Sequence, residues 1–257
     1  MKQGEGFAGI IVGRHKERVL GSTHLEVETK LRAMVAADHP DFIGLDGSRA
    51  RFLRLFPKAF ADEALIGDRR HGELRFKRDA SALARELLPL DENHATLPDL
   101  AARAMRVFNA SNLIADRFTK AKLSEVLNSS RGATFVSLAA AFALGEVAES
   151  CRRIVRDFKD DGLATWPCLT YLPFLWRPDC HMFLKPTFTR LYAERIGHRF
   201  QHDYESAPNP TTYSSLLHMT SETANAIADL NPADNIDLHS FMWVVMDYSD
   251  ADVVRTS

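Results

Sequence analysis

Apolar residues recur at spacings of three and four along most of this chain, which restricts it to a predominantly helical architecture. The period runs through residues 25–37, 48–60, 80–88, 98–109, 120–127, 134–158, 166–175, 187–196, 211–230 and 234–245, and each stretch is expected to be a helix. Only Phe7-Ala8-Gly9-Ile10-Ile11-Val12 reads as a strand. Asn231-Pro232-Ala233-Asp234 stops one helix and restarts the next, with Asp234 placed as the N-cap. At 257 residues and 46% hydrophobic, the chain can bury a full core. The fold expected is mainly α, in two helical lobes, with breaks at 67–79 and 91–98. The division is then residues 1–90, carrying a basic loop, and residues 91–257, with one continuous domain as the alternative.

Two prolines mark the place to look for chemistry. In Trp176-Arg177-Pro178-Asp179-Cys180-His181-Met182-Phe183-Leu184-Lys185-Pro186 they bracket a carboxylate, an imidazole and an ammonium. Pro178 disfavours helix at Arg177, and Pro186 has no N–H for a preceding turn, so residues 178–185 should form a stiff elbow between helices. Asp179-Cys180-His181-Met182-Phe183 is echoed by Asp237-Leu238-His239-Ser240-Phe241, both Asp-x-His-x-Phe. Asp179 reads either as a helix N-cap or as a positioned catalytic carboxylate, and the first role does not exclude the second.

The net charge of −2, from 32 basic and 34 acidic residues, excludes a globally basic nucleic-acid binder, so any such surface must be local. Arg69, Arg70, Arg75, Lys77 and Arg78 cluster behind Gly67 and around Gly72, with Leu74 and Phe76 as apolar wedges. The cluster reads equally well as a phosphate-binding loop or as a solvated loop neutralised by Asp68, Glu73 and Asp79. The stretch 166–243 is rich in aromatics, most of them core, and Trp166, Tyr171 and Trp176 are the candidates to stack a planar ligand because they closely precede Asp179. His181 and Lys185 complete that candidate substrate site.

Other chemistries find less support. His198 and His202 have the spacing of zinc ligands on one helix face, but no glutamate stands between them and Gly197 ends a helix just before, so a satisfied or solvated pair is expected. Gly9-Ile10-Ile11-Val12-Gly13-Arg14 lacks the rest of a phosphate loop, and no G-x-S-x-G elbow is present. Cys151, Cys168 and Cys180 have no C-x-x-C spacing and are expected to be buried thiols, with no metal and no cofactor. Without a basic start leading into a long apolar run, the chain reads as cytoplasmic.

The elbow resembles the catalytic corner of the helix-hairpin-helix DNA glycosylases, in which a Val-Asp-Thr-His-like segment follows a hairpin and opens a helix. The order that follows is also similar: a short helix to Ile196-Gly197, a loop, the helix 211–230, then Asp234-Asn235-Ile236-Asp237-Leu238-His239-Ser240-Phe241-Met242-Trp243. The likeness covers roughly residues 150–245. It implies that Asp179 is the catalytic aspartate and that the second region is catalytic. Two departures bear on mechanism. Lys159-Asp160-Asp161-Gly162-Leu163-Ala164 supplies only one hairpin glycine, and the lysine nucleophile of bifunctional members would fall near Asp160 or Asp161. The resemblance therefore implies a monofunctional glycosylase. The chain is also similar to bacterial anti-phage glycosylases that excise glucosylated hydroxymethylcytosine, which implies modified double-stranded DNA as substrate. A non-enzymatic reader of modified DNA, such as the recognition subunit of a restriction system, would use the same loop and pocket without Asp179. A helical scaffold for protein partners is the third reading.

Overall fold

The protein is described by a computed structural model covering residues 2–3, 6–10, 18–38, 42–68, 72–249 and 252. A small antiparallel sheet of β1 (Lys2–Gln3), β2 (Gly6–Ile10) and β3 (Arg18–Gly21) opens the chain, with Phe7 opposite Gly21 and Ile10 opposite Arg18. The expected strand is thus β2, and Ile11 and Val12 lie outside the described residues. Helix α1 (His24–Asp38) crosses the sheet at Gly9, where a Cβ would stand 2.6 Å from a Leu31 methyl.

The rest is helical. In order come α2 (Gly44–Leu55), a 3-10 turn (Ala59–Ala61), α3 (Glu63–Ile66), α4 (Arg75–Leu87), α5 (Leu100–Asn109), α6 (Arg117–Leu127), α7 (Gly132–Ala143), α8 (Val147–Phe158) and α9 (Trp166–Trp176). Then follow α10 (Pro186–Ile196), α11 (Phe200–Asp203), α12 (Pro210–Ala226), a 3-10 turn (Ala228–Leu230) and α13 (Asn235–Asp247). Residues 134–158 are two helices rather than one, because Gly145 at φ +102° takes a conformation that breaks the α-helix. Asp62, Asp116, Asn209 and Asp234 each cap a helix through a side-chain oxygen. No helix among the described residues is long and apolar enough to cross a membrane.

Two helices are apolar on nearly every side and lie inside the molecule. In α9 only Pro167 escapes full burial, and α13 is buried from Asn235 through Met242. A helix that is hydrophobic all round has to be enclosed by others. Helices α4 and α7 pack on α9, while α2, α10 and α12 pack on α13. One contiguous hydrophobic cluster takes in residues from Phe52 to Val245, on both sides of residue 90.

The elbow 178–185 leads from α9 to α10 and packs against the start of α13, and it is non-helical throughout. Met182, Phe183 and Leu184 are buried, so their backbone groups must find partners without water. Three elements supply them. Tyr213 of α12 accepts from the Met182 amide (3.2 Å), Thr170 of α9 accepts from the Leu184 amide (3.0 Å), and Asn235 of α13 donates from its side chain to the His181 carbonyl (3.0 Å). The Asn235 amide donates to the Pro178 carbonyl at 2.9 Å. The His181 ring lies between the Ala143 carbonyl (3.1 Å) and the Tyr213 hydroxyl (3.0 Å), which fits a neutral ring with its proton on Nε2. Its burial pushes the His181 pKa down.

Tyr213→Phe keeps the ring but leaves the Met182 amide and His181 Nδ1 unpaired. It should cost about 1–3 kcal/mol in urea unfolding. Amide exchange at Met182 should speed up more than in α7, which does not contact that hydroxyl.

Candidate functional site

The aromatics before the elbow are structural. The Trp166 indole donates to the Glu205 carbonyl (2.8 Å), and the Trp176 indole donates to the Leu88 carbonyl (2.7 Å). The Tyr171 hydroxyl meets the Val107 carbonyl (2.8 Å) and Ser111 (2.9 Å), while its ring stacks on Phe108. All three side chains are buried in the core, at most 3% exposed. Lys185 is the residue before α10, with its ammonium 4.5 Å from the centre of the Trp243 ring.

Asp179 opens no helix, because α10 begins seven residues later at Pro186. It stands exposed at the surface in a fork with Arg177, at 3.1 Å to Nε and 2.9 Å to a terminal nitrogen. Hydrogen bonding to Arg177 holds its carboxyl below the usual carboxylate range. Of the three cysteines, Cys151 and Cys168 are buried as expected, but Cys180, next to Asp179, is exposed. His198 does not pair with His202. It turns instead to His218 of α12, Nε2 to Nδ1 at 3.0 Å.

The basic cluster divides. Arg69 and Arg70 lie outside the described residues. Arg75, Lys77 and Arg78 are not in a loop but form the first turn of α4, where the helical period separates their directions. Arg75 is exposed. Lys77 is only 1% exposed, and its ammonium donates to Glu73 (2.6 Å) and to Ser240 of α13 (2.9 Å), so it faces no phosphate. Burial pushes the Lys77 pKa down, and the Glu73 carboxylate opposes that shift. The Tyr248 hydroxyl donates to the other Glu73 oxygen at 3.1 Å.

One residue further along, Arg78 reaches the start of α13, bonding Asp237 (2.5 Å) and Asp234 (3.2 Å). Asp237 also accepts from the Ala233 amide at 2.8 Å. Its burial pushes the carboxyl pKa up, against the pull of that amide and of Arg78. Asp237 lines a cleft of about 870 Å³ whose walls carry Lys58, Arg75, Arg78 and Asp79 beside the apolar Leu53, Phe60 and Ile66. A concave, largely apolar space with a few convergent charges and a perturbed carboxylate is where a ligand site belongs.

The neighbour of these groups on α13 is His239. It is buried in a box of Phe174, Phe183 and Phe188 with ring centres 5.6–5.8 Å away, and neither ring nitrogen has a partner. Burial, reinforced by the nearby Lys77 and Lys185 charges, holds its pKa well below the usual range, so the ring is neutral. Glu73, Lys77, Asp237, His239 and Ser240 thus form one buried polar seam between α4 and α13. The sequence set Glu73 beside Lys77, and Asp237 with His239 and Ser240 in the echoed motif, but gave no sign that the two groups meet. No protein-family description, no curated protein and no solved structure matches this chain.

Two outcomes follow from the seam. Lys77→Met strands the Glu73 carboxylate and should cost about 3–5 kcal/mol, while adding Glu73→Leu should recover much of that loss, as a urea-denaturation cycle would measure. For His239 the folded pKa lies below the unfolded value of about 6.5. The stability its neutral form confers is therefore complete above that pH and is lost as pH falls below it. His239→Phe removes the unpaired nitrogens and should flatten the decline of the urea midpoint between about pH 7.5 and 5.5 relative to the wild type.

Proposed function

We propose that the protein is a monofunctional DNA glycosylase, acting in the cytoplasm on a modified cytosine of phage DNA, with its reaction at the cleft beside α13. The observation that carries this reading is Asp237: a buried carboxylate in the first turn of a helix, oriented by Arg78 and the Ala233 amide, at the wall of a cleft bearing Lys58 and Arg75. A carboxylate has about four lone-pair directions, so these two bonds leave others for a substrate. Helix starts favour negative charge.

The chemistry follows from the glycosidic bond. When the base departs with its electron pair, positive charge grows on the deoxyribose. An ionised Asp237 stabilises that charge and orients the attacking water. The base has first to leave the stack, which costs a few kcal/mol, and a cleft of this size can take it. Arg75 and Lys58, both exposed, are available to backbone phosphates. The seven-residue connection from α8 to α9 supports the helix-hairpin-helix reading: Gly162 has φ +69°, and a Cβ there would stand 2.4 Å from the Lys122 ammonium. That is a tight turn with a cation beside it, suited to a phosphate. Asp179, the aspartate implied by the resemblance, lines no part of the cleft and serves as the comparison.

The test is base release from phage DNA carrying glucosylated hydroxymethylcytosine and from plain DNA, with abasic sites revealed by alkali. The wild type should generate them on modified DNA. Asp237→Asn should lower the rate by about a hundredfold or more while circular dichroism and DNA retention persist. Asp179→Asn should change it little. Because the Asp237 pKa is raised, activity should begin to fall on the acid side above the ordinary carboxylate range near about 3.9. Collapse in the Asp179 variant alone would move the chemistry to the elbow. Selective retention of modified DNA by a wild type that releases no base would make the protein a reader.

A further inference from the structure

A second cluster lies apart from that seam, where the corner between α10 and α11 meets α12. Gly197 ends α10 in the left-handed conformation and turns the chain so that His198 points inward, 6% exposed, with its amide held by the Ala193 carbonyl at 2.7 Å. On α12, His218 and Glu222 stand one turn apart and therefore on one face, turned toward His198. The three potential ligand atoms converge. His198 Nε2 is 3.0 Å from His218 Nδ1 and 3.7 Å from a Glu222 oxygen, and His218 Nδ1 is 4.0 Å from the other Glu222 oxygen.

We propose that His198, His218 and Glu222 form a zinc site that ties the α10–α11 corner to α12. The geometry is that of a tetrahedral face. With zinc about 2.0–2.2 Å from nitrogen and oxygen ligands, the ligand atoms of a tetrahedron stand roughly 3.3–3.5 Å from one another. The two nitrogens stand 3.0 Å apart, His198 is 3.7 Å from one Glu222 oxygen and His218 is 4.0 Å from the other; one atom from each residue lies within 4.8 Å of the other two, so rotamer adjustments bring three donors onto one ion. Two imidazoles and one carboxylate are a donor set suited to zinc. His218 and Glu222 are largely exposed, which leaves the fourth position to water or an exchangeable anion, the arrangement of open rather than closed zinc sites.

One proton has to move. The Phe200 amide donates to His198 Nδ1 at 3.0 Å, which puts the neutral ring's proton on Nε2, directed at His218. Zinc binding shifts that proton to Nδ1 and gives up the Phe200 bond, one hydrogen bond against three metal bonds. Without the ion, the same N–H···N bond between the two rings holds the ligand atoms close together.

Titration of the full chain with zinc chloride by calorimetry tests the site, with cobalt(II) as a spectroscopic stand-in. The expected result is one zinc per chain and a visible cobalt band of four- or five-coordinate character. Both signals should weaken at least about tenfold in His218→Ala and in Glu222→Gln. Both residues are exposed, so the variants should fold, which circular dichroism checks. His202→Ala should bind as the wild type does, because His202 lies outside the cluster despite its spacing from His198. Binding that is absent in the wild type, unaffected by the first two substitutions, or lost in His202→Ala would overturn the proposal.

Discussion

The ammonium of Lys77 is the constraint around which the surrounding structure is arranged. A charge that is 99% removed from solvent has to be met by other groups, because leaving it unpaired costs several kcal/mol. Glu73, one turn earlier, supplies the opposite charge, and Ser240 of α13 supplies a hydroxyl. The Ser240 bond ties α4 to α13 and fixes the rotation of one against the other. Once that rotation is set, Arg78 necessarily faces the start of α13, where Asp234 and Asp237 receive it. The cleft beside Asp237 is therefore a consequence of how the buried lysine next to Arg78 is satisfied.

The elbow imposes the second condition. It runs through the interior without helix or sheet, so its amides and carbonyls are satisfied by Tyr213, Thr170 and Asn235 from three separate helices. That couples α9, α12 and α13 into one unit and accounts for a core that runs unbroken past residue 90. Much of this was legible in the sequence. The prolines at 178 and 186 disfavour helix in the residues that precede them, the Asn231–Asp234 restart rests on local capping, and the long apolar periods of α5, α9, α10 and α13 fall within a few residues of expectation. The misread boundaries share a cause. At Gly145 the apolar pattern runs on while the backbone turns, and at Arg75 the helix begins among charged residues that carry no apolar period.

The site was far less legible, because its contacts join residues distant along the chain. Lys77 meets Ser240, Glu73 meets Tyr248, and Arg78 meets Asp237. A run of basic residues read in one dimension reports only density. Folding α4 through it sends Arg75 to solvent, Lys77 to the interior and Arg78 to a carboxylate. His198 and His202 show the same limit. The i,i+4 rule holds only inside a continuous helix, and α10 ends at Ile196 while α11 begins at Phe200, so His198 lies in neither.

The two Asp-x-His-x-Phe segments show how far one pattern can diverge. Phe183 and Phe241 are both core, which accounts for the apolar end of the motif. In the elbow a turn closed by the His181 amide on the Arg177 carbonyl (2.8 Å) leaves Asp179 in solvent beside Arg177, while His181 finds two partners. In α13 the same three residue types are carried by a helix enclosed on nearly all sides. Its carboxylate then requires Arg78, and its imidazole finds aromatic rings in place of hydrogen-bond partners. A phenylalanine in that box would carry no unpaired nitrogen, so packing gives no reason for an imidazole at 239. The His239 ring is kept neutral by burial and by two nearby ammonium groups, two residues from a carboxylate whose pKa is shifted the opposite way. Residues two apart on a helix face different sides, so the second copy of the motif turns Asp237 to Arg78 and the cleft while it turns His239 into the aromatic box.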